Sequence, residues 1–260
     1  AGLCLGLGTA AKLYPAVLIP VFCAYYIARG DNRSVRRLIA GGTGAVLTIV
    51  APFTVIGSTG FFDFLRYHQM RGLHVESVPA GVLLLAHVTG LTTVQLTFDY
   101  GAVHLVSSLA DHVLTLLPVL TLLVLGAVIL AAFLRFRDER LTTGEVSQRR
   151  LIEAIVLCLL AFIATNKVLS PQYVIWLLPF AALLRAPHTV VLGIICILTI
   201  VIFPFDYVNL MKIQTAAVVL LNVRNLLVIV LAAWLLISRP AREREPPIRG
   251  SRQSENPAFE

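Results

Sequence analysis

The sequence predicts an all-α fold, a polytopic transmembrane helical bundle with about seven or more spans, and three observations lead there. Hydrophobic residues make up 58% of the 260-residue chain and charged residues only 13%, against about 25% charged in ordinary soluble domains. Mean hydropathy is +0.85. The net charge of +7 is dispersed in short basic clusters between apolar runs. That pattern belongs to membrane orientation, whereas a nucleic-acid groove gathers its basic residues on one face, so no nucleic-acid partner is expected.

A bilayer core takes roughly 20 apolar residues per helix. The candidate spans are 13–28, 38–56, 113–134, 151–165, 173–184, 189–205 and 214–237. Several are short or interrupted by proline, which is tolerated where a helix packs within protein or lines a cavity. Arg29, Arg33, Arg36 and Arg37 follow the first run, and Arg135, Arg137, Arg140, Arg149 and Arg150 follow the third. Arg185 follows the fifth, and Arg239, Arg242, Arg244, Arg249 and Arg252 follow the last. The positive-inside rule makes these places cytoplasmic. The remaining loops hold Arg66, Arg71, Lys167 and Lys212 and are assigned outside.

This parity constrains the rest. Residues 79–98 must be re-entrant, or cross twice together with 103–110, and 173–184 must be separate from 189–205. The break "RAPH" at 185–188 supports that separation, because Pro187 disfavours helix at the residue before it. Residues 1–28 read as the end of an ascending helix, a break at Lys12–Pro15 and a descending helix, so at least one earlier span is expected. The domain therefore covers 1–238, with its N-terminal part expected to be missing. The Arg-, Pro- and Glu-rich 239–260 reads as a disordered cytoplasmic tail.

Cys4, Cys23, Cys158 and Cys196 each sit in an apolar run without a CxxC pair, so neither a disulfide nor a metal site is expected. No GxGxxG after a strand, Walker lysine loop, HExxH or GxSxG occurs. No cofactor is evident, and an activated donor would have to come by another route, most naturally linked to lipid.

The dense polar clusters all fall on the side assigned outside. They are "KLYP" (Lys12, Tyr14), the loop "FLRYHQMRGLHVES" (Arg66, Tyr67, His68, Arg71, His74, Glu76), "NKVLSPQY" (Asn166, Lys167, Gln172, Tyr173) and "FDYVNLMK" (Asp206, Tyr207, Lys212). Cationic and hydrogen-bonding groups at one membrane face suit an anionic lipid head group, which Lys or Arg can neutralise. Each cluster has a plainer alternative. Lys12 and Lys212 could be snorkelling anchors, and Tyr14, Tyr173 and Trp176 could be interfacial-belt aromatics. His87, His104 and His112 lack partners at metal spacing and read as packing or surface residues. Arg224, near the middle of the last run, is costly in lipid unless paired or facing a cavity.

Three segments, "GLGTAAKLYPAVLIP", "YHQMRGLHVES" and "NKVLSPQYVIWLLP", together resemble the GT-C type glycosyltransferases that use polyprenyl-phosphate sugars. The closest resemblance is to glycosyltransferase family 87, the bacterial membrane family whose characterised members are mannosyltransferases. The first and third segments are also similar to the catalytic subunit of GPI mannosyltransferase I, with its Lys-x-Tyr-Pro and Asn-Lys…Gln-Tyr patterns. The resemblance spans roughly residues 1–237. It implies a multi-pass enzyme of the plasma (inner) membrane that moves mannose from a polyprenyl-phosphate donor to a cell-envelope glycan or glycolipid acceptor. Membrane lipids, that donor and that acceptor are the partners it implies. Lys12, Tyr14, Arg71, Glu76, Ser77, Asn166, Lys167, Gln172 and Tyr173 carry over as donor- or substrate-binding residues. Lys12, Arg71 and Lys167 would hold the departing phosphate, and Glu76, Asn166 and Gln172 would orient hydroxyls or the loop. The family's general base follows its first span, so that group is expected upstream of Ala1. A transporter or flippase for a lipid-linked sugar, or a non-catalytic membrane subunit, are the competing classes; the former should show internal repeats and mid-membrane charges.

Overall fold

The computed structural model describes residues 1–56 and 63–238. The tail, and Ser58 with its neighbours, lie outside the described residues. Twelve α-helices and a small three-stranded sheet follow one another among the described residues. Four helices among the described residues are long and apolar enough to cross a membrane: Asn32–Thr54, Ser108–Thr143, Ala186–Phe205 and Thr215–Ile237. The other expected crossings are shorter or broken.

Helix α1 (Gly2–Ala11) packs against α3 (Asn32–Ile56) at very short range. A Cβ on Gly2 would collide with the carbonyl of Leu38, and one on Gly6 with that of Gly42. The Gly-x-x-x-Gly spacing thus lets two backbones touch. The matched pairs advance together along both helices, so α1 and α3 run parallel. Lys12 ends α1 in an extended conformation. Tyr14–Leu18 then form a 3₁₀ turn that leads into α2 (Ile19–Ala28), which returns. The expected break at Lys12–Pro15 is where the chain reverses.

Helix α6 (Ser108–Thr143) has 36 residues, or about 54 Å at 1.5 Å per residue, and overshoots a core of about 30 Å. Its outward Leu116, Val119, Leu120, Leu122 and Leu123 are exposed, as lipid-facing side chains are. Gly144 ends it in the left-handed conformation, and Ser147 caps the next helix by accepting from Arg150 N. That helix, α7 (Gln148–Thr165), is buried without interruption from Glu153 to Ala161. A helix apolar on every face belongs at the centre of the bundle.

Beyond α7 the chain crosses back without a continuous helix. Asn166–Ser170 form neither helix nor strand, α8 (Pro171–Ile175) and α9 (Leu178–Ala181) are single turns, and α10 starts at Ala186. Pro171 and Pro179 keep these pieces short. Arg185 nevertheless lies 3.9 Å from Glu153 near the start of α7, and His188 packs on Trp234 near the end of α12 (Thr215–Ile237). Residues 171–185 therefore run back along the bundle as a segment separate from α10 (Ala186–Ile200).

The bundle has two distinct ends. One gathers the α6–α7 turn, Arg185 and Ser238. At the other, β1 (Leu73–His74), β2 (Gln95–Asp99) and β3 (Ala102–Val106) pair in the order β1-β3-β2, all antiparallel. Between β1 and β2, α5 (Val78–Val88) lies along the first half of α12. Gly81 permits this approach, since a Cβ there would stand 2.8 Å from Asn225 Nδ2. Asn222 donates to Gly81 O at 2.9 Å. Residues 79–98 are thus a half-length helix that returns to the same end, and 103–106 are strand.

Candidate functional site

The sheet end encloses a cavity of about 930 Å³. Three of the four polar clusters contribute to its walls, with Arg71, His74 and Glu76 from the second, Gln172 and Tyr173 from the third, and Tyr207 from the fourth. Residues 166–176 join the second cluster through the backbone: His74 N donates to Lys167 O at 2.9 Å.

Arg71 lines this cavity, and among the described residues no carboxylate pairs with it within 4 Å. Its Nε is buried without a hydrogen-bond partner, and its guanidinium stands 5.8 Å from the Tyr67 ring centre. Lys167 does not line the cavity. Its Nζ donates to Gln69 O at 2.9 Å and Arg71 O at 2.7 Å, clamping the turn that delivers Arg71. Burial, then the neighbouring Arg71 charge, lower the Lys167 ammonium below its ordinary range.

Glu76 forms the inner wall. Arg224 Nη2 donates to its backbone oxygen at 3.1 Å and lies 3.4 Å from Oε2. Arg224 is 0% exposed and Glu76 1%. A lone arginine at a helix centre costs about 2.5–3.5 kcal/mol on insertion scales, so the pair explains how α12 accommodates it. Burial pushes the Glu76 carboxyl up to about 7, with Arg224 pulling the other way. His74 and His104 face each other across β1 and β3, ring centres 6.1 Å apart. Burial, helped by His104 and Arg71, pushes His74 down to about 4. His104 Nε2 donates to Asp99 O at 3.0 Å, and burial lowers its proton affinity as well.

The remaining expected residues have other positions. Tyr14 stacks on Trp176 at 3.6 Å, which in turn stacks near Tyr173 at 4.1 Å, linking the first cluster to the cavity wall. Lys12 is exposed at the α1–α2 break, outside the lining. Ser77 is buried and caps α5, accepting from Ala80 N. Asn166 Oδ1 accepts from Val168 N at 2.9 Å. Both shape the backbone beside the cavity. Phe98, Tyr100 and Thr199 line it but were not singled out from sequence. The signal available for the first two was an aromatic on each side of Asp99, just before Gly101. Among the described residues, no group of three His, Cys, Asp or Glu is gathered as metal ligands would be.

A bundle of apolar helices with a large cavity at one end, lined by an arginine that no carboxylate pairs with among the described residues, defines a helical membrane protein. The family model of glycosyltransferase family 87 matches residues 1–161, more than half of the chain, and the protein belongs to that family. The match includes the first two clusters and ends just before Asn166. No curated protein and no solved structure matches.

Proposed function

We propose that this membrane glycosyltransferase moves a sugar, mannose in the first instance, from a polyprenyl-phosphate donor to an acceptor of the cell envelope. The observation that carries this reading is Arg71, a cation with no carboxylate partner among the described residues, lining a cavity walled by apolar and aromatic side chains. The acceptor hydroxyl gives its proton to a general base and attacks the anomeric carbon, while the bond from that carbon to the phosphate oxygen breaks. The electron pair leaves with the lipid phosphate, and Arg71 stabilises the charge that accumulates there. Lys167 acts through Arg71 by fixing its turn. Glu76 is the carboxylate among the described lining residues, and its place against Arg224 suits it to hold sugar hydroxyls. The sheet end faces outward in this reading, and the Arg-rich end and tail face the cytoplasm.

The test uses the full-length protein in membranes supplied with polyprenyl-phosphate mannose and cell-envelope acceptors. Wild type is expected to transfer, Lys167→Ala to be slowed and Arg71→Ala to lose nearly all transfer. Wild-type rates in both variants would contradict the site. Absence of transfer from any lipid-phosphate sugar would contradict the reaction.

A further inference from the structure

Two sets of side chains that line the cavity and stay open to the surroundings differ in chemistry. One is Ile175, Leu178, Ile200 and Phe203, from α8, α9, α10 and the turn after it, with the exposed Gln172 of α8 beside them in the chain. The other is Tyr67 from α4 (Asp63–Met70), at 41% exposure, Phe98 from β2, at 76%, and the partly exposed Tyr100 of the hairpin turn. An isoprenoid chain needs a continuous apolar surface, which the first group offers. A sugar ring needs a flat aromatic face for its C–H groups and polar edges for its hydroxyls, which the second offers.

The second group is also held in place. Tyr67 Oη donates to Tyr100 O, and the two rings meet edge-on with centres 5.4 Å apart. Tyr100 Oη donates to Met70 Sδ at 3.7 Å. Tyr100 has φ 49° and Gly101 φ 68°, so two successive residues of the turn are left-handed. Hairpin turns of this kind favour Asn, Asp or Gly at both positions. A bulky aromatic at positive φ is a backbone outlier of the type found at ligand clamps. The turn tolerates an unfavourable residue and gains a ring at the mouth of the cavity.

We propose that Tyr67, Phe98 and Tyr100 form a platform for a pyranose ring of the acceptor, which reaches Arg71 and Glu76 from the hairpin side while the donor chain lies along Ile175, Leu178 and Ile200. This rests on the transferase reading above and assigns the two substrates to these two sets of lining residues. Phe98 contributes the open face, and Tyr67 and Tyr100 supply hydroxyl-bearing edges.

The test measures binding of octyl α-mannopyranoside to the full-length protein in nanodiscs by saturation-transfer NMR, alongside acceptor dependence of transfer at saturating polyprenyl-phosphate mannose. Phe98 is exposed, so its replacement leaves the core intact. Phe98→Leu keeps an apolar membrane-facing side chain without the flat ring. It is expected to weaken mannoside binding and raise the acceptor KM about three- to tenfold, with the donor KM unchanged. Phe98→Trp is expected to restore both. A Phe98→Leu protein with wild-type binding and acceptor KM overturns the platform and reduces Phe98 to a membrane anchor. Absence of mannoside binding by wild type overturns it too. Phe98-dependent binding without transfer from the lipid donor leaves the platform standing and removes the donor reading instead.

Discussion

The two ends of the bundle use their basic groups in opposite ways. At the Arg-rich end, cations meet carboxylates. Arg149 lies 3.5 Å from Glu153, Arg185 3.9 Å from the same carboxylate, and Arg150 3.9 Å from Glu139. The space among Arg135, Arg150, Glu153 and their neighbours amounts to about 10 Å³. At the sheet end, Arg71 faces about 930 Å³ with no carboxylate partner among the described residues. Around Glu153, where the charges pair, the space is closed; around Arg71, which has no carboxylate partner among the described residues, it is open. Glu76 and Arg224 lie between these cases, a buried pair with one member facing the cavity.

Breaking that pair is expected to have the largest effect. Arg224→Met alone should cost about 3–5 kcal/mol of stability, because it strands a buried carboxylate. Adding Glu76→Gln should recover most of the loss in thermal unfolding, but not transfer. The pH dependence follows from the same wall. Glu76 shifts from 4.5 to about 7 on folding, so in that window the folded protein binds more protons than the unfolded chain. Its contribution to stability therefore falls as pH rises through the window. His74 shifts from 6.5 to about 4, so the unfolded chain binds the extra proton there. Its contribution is lost as pH falls through that range. Glu76→Gln should flatten the first slope and His74→Asn the second, read from unfolding midpoints in detergent across both windows.

Arg71→Ala comes next, with transfer expected to fall about 10²- to 10³-fold, as for loss of one donor to a developing anion. Lys167→Met should follow, weakening the clamp by about 1.5–3 kcal/mol and lowering kcat more than it raises the donor KM. The smallest effect is expected at the other end. Arg149 has a side chain 45% exposed, so Arg149→Gln should change stability by less than about 1 kcal/mol and leave transfer unaltered.

Part of the framework was legible because it is local: the break at Lys12–Pro15 and the one at 185–188 are each marked by a proline, where α1 ends and α10 begins. Charge parity asked for a span over 173–184, and the structure forms only the short helices α8 and α9 there, because Pro171 and Pro179 interrupt it. The sheet was not foreseen, since "QLTFD" is short and sits beyond an apolar run that dominated the reading of 79–98. In the site, Arg71, Glu76, Gln172 and Tyr173 were legible as motif residues. Their partners were not, because Arg224 and Glu76 meet across 148 positions and Lys167 and Arg71 across 96. Single-residue chemistry could be read along the chain, whereas pairing depends on which ends the helices share.

The central claim is that the lipid-phosphate sugar binds at the sheet end. It is tested most directly with a photo-crosslinking residue placed at Ile175, in the large cavity, or at Leu151, in a space of about 380 Å³ at the Arg-rich end. With radiolabelled polyprenyl-phosphate mannose in native membranes, label is expected at position 175, displaced by unlabelled donor and reduced by Arg71→Ala. Equal or stronger displaceable labelling at position 151 would contradict the account.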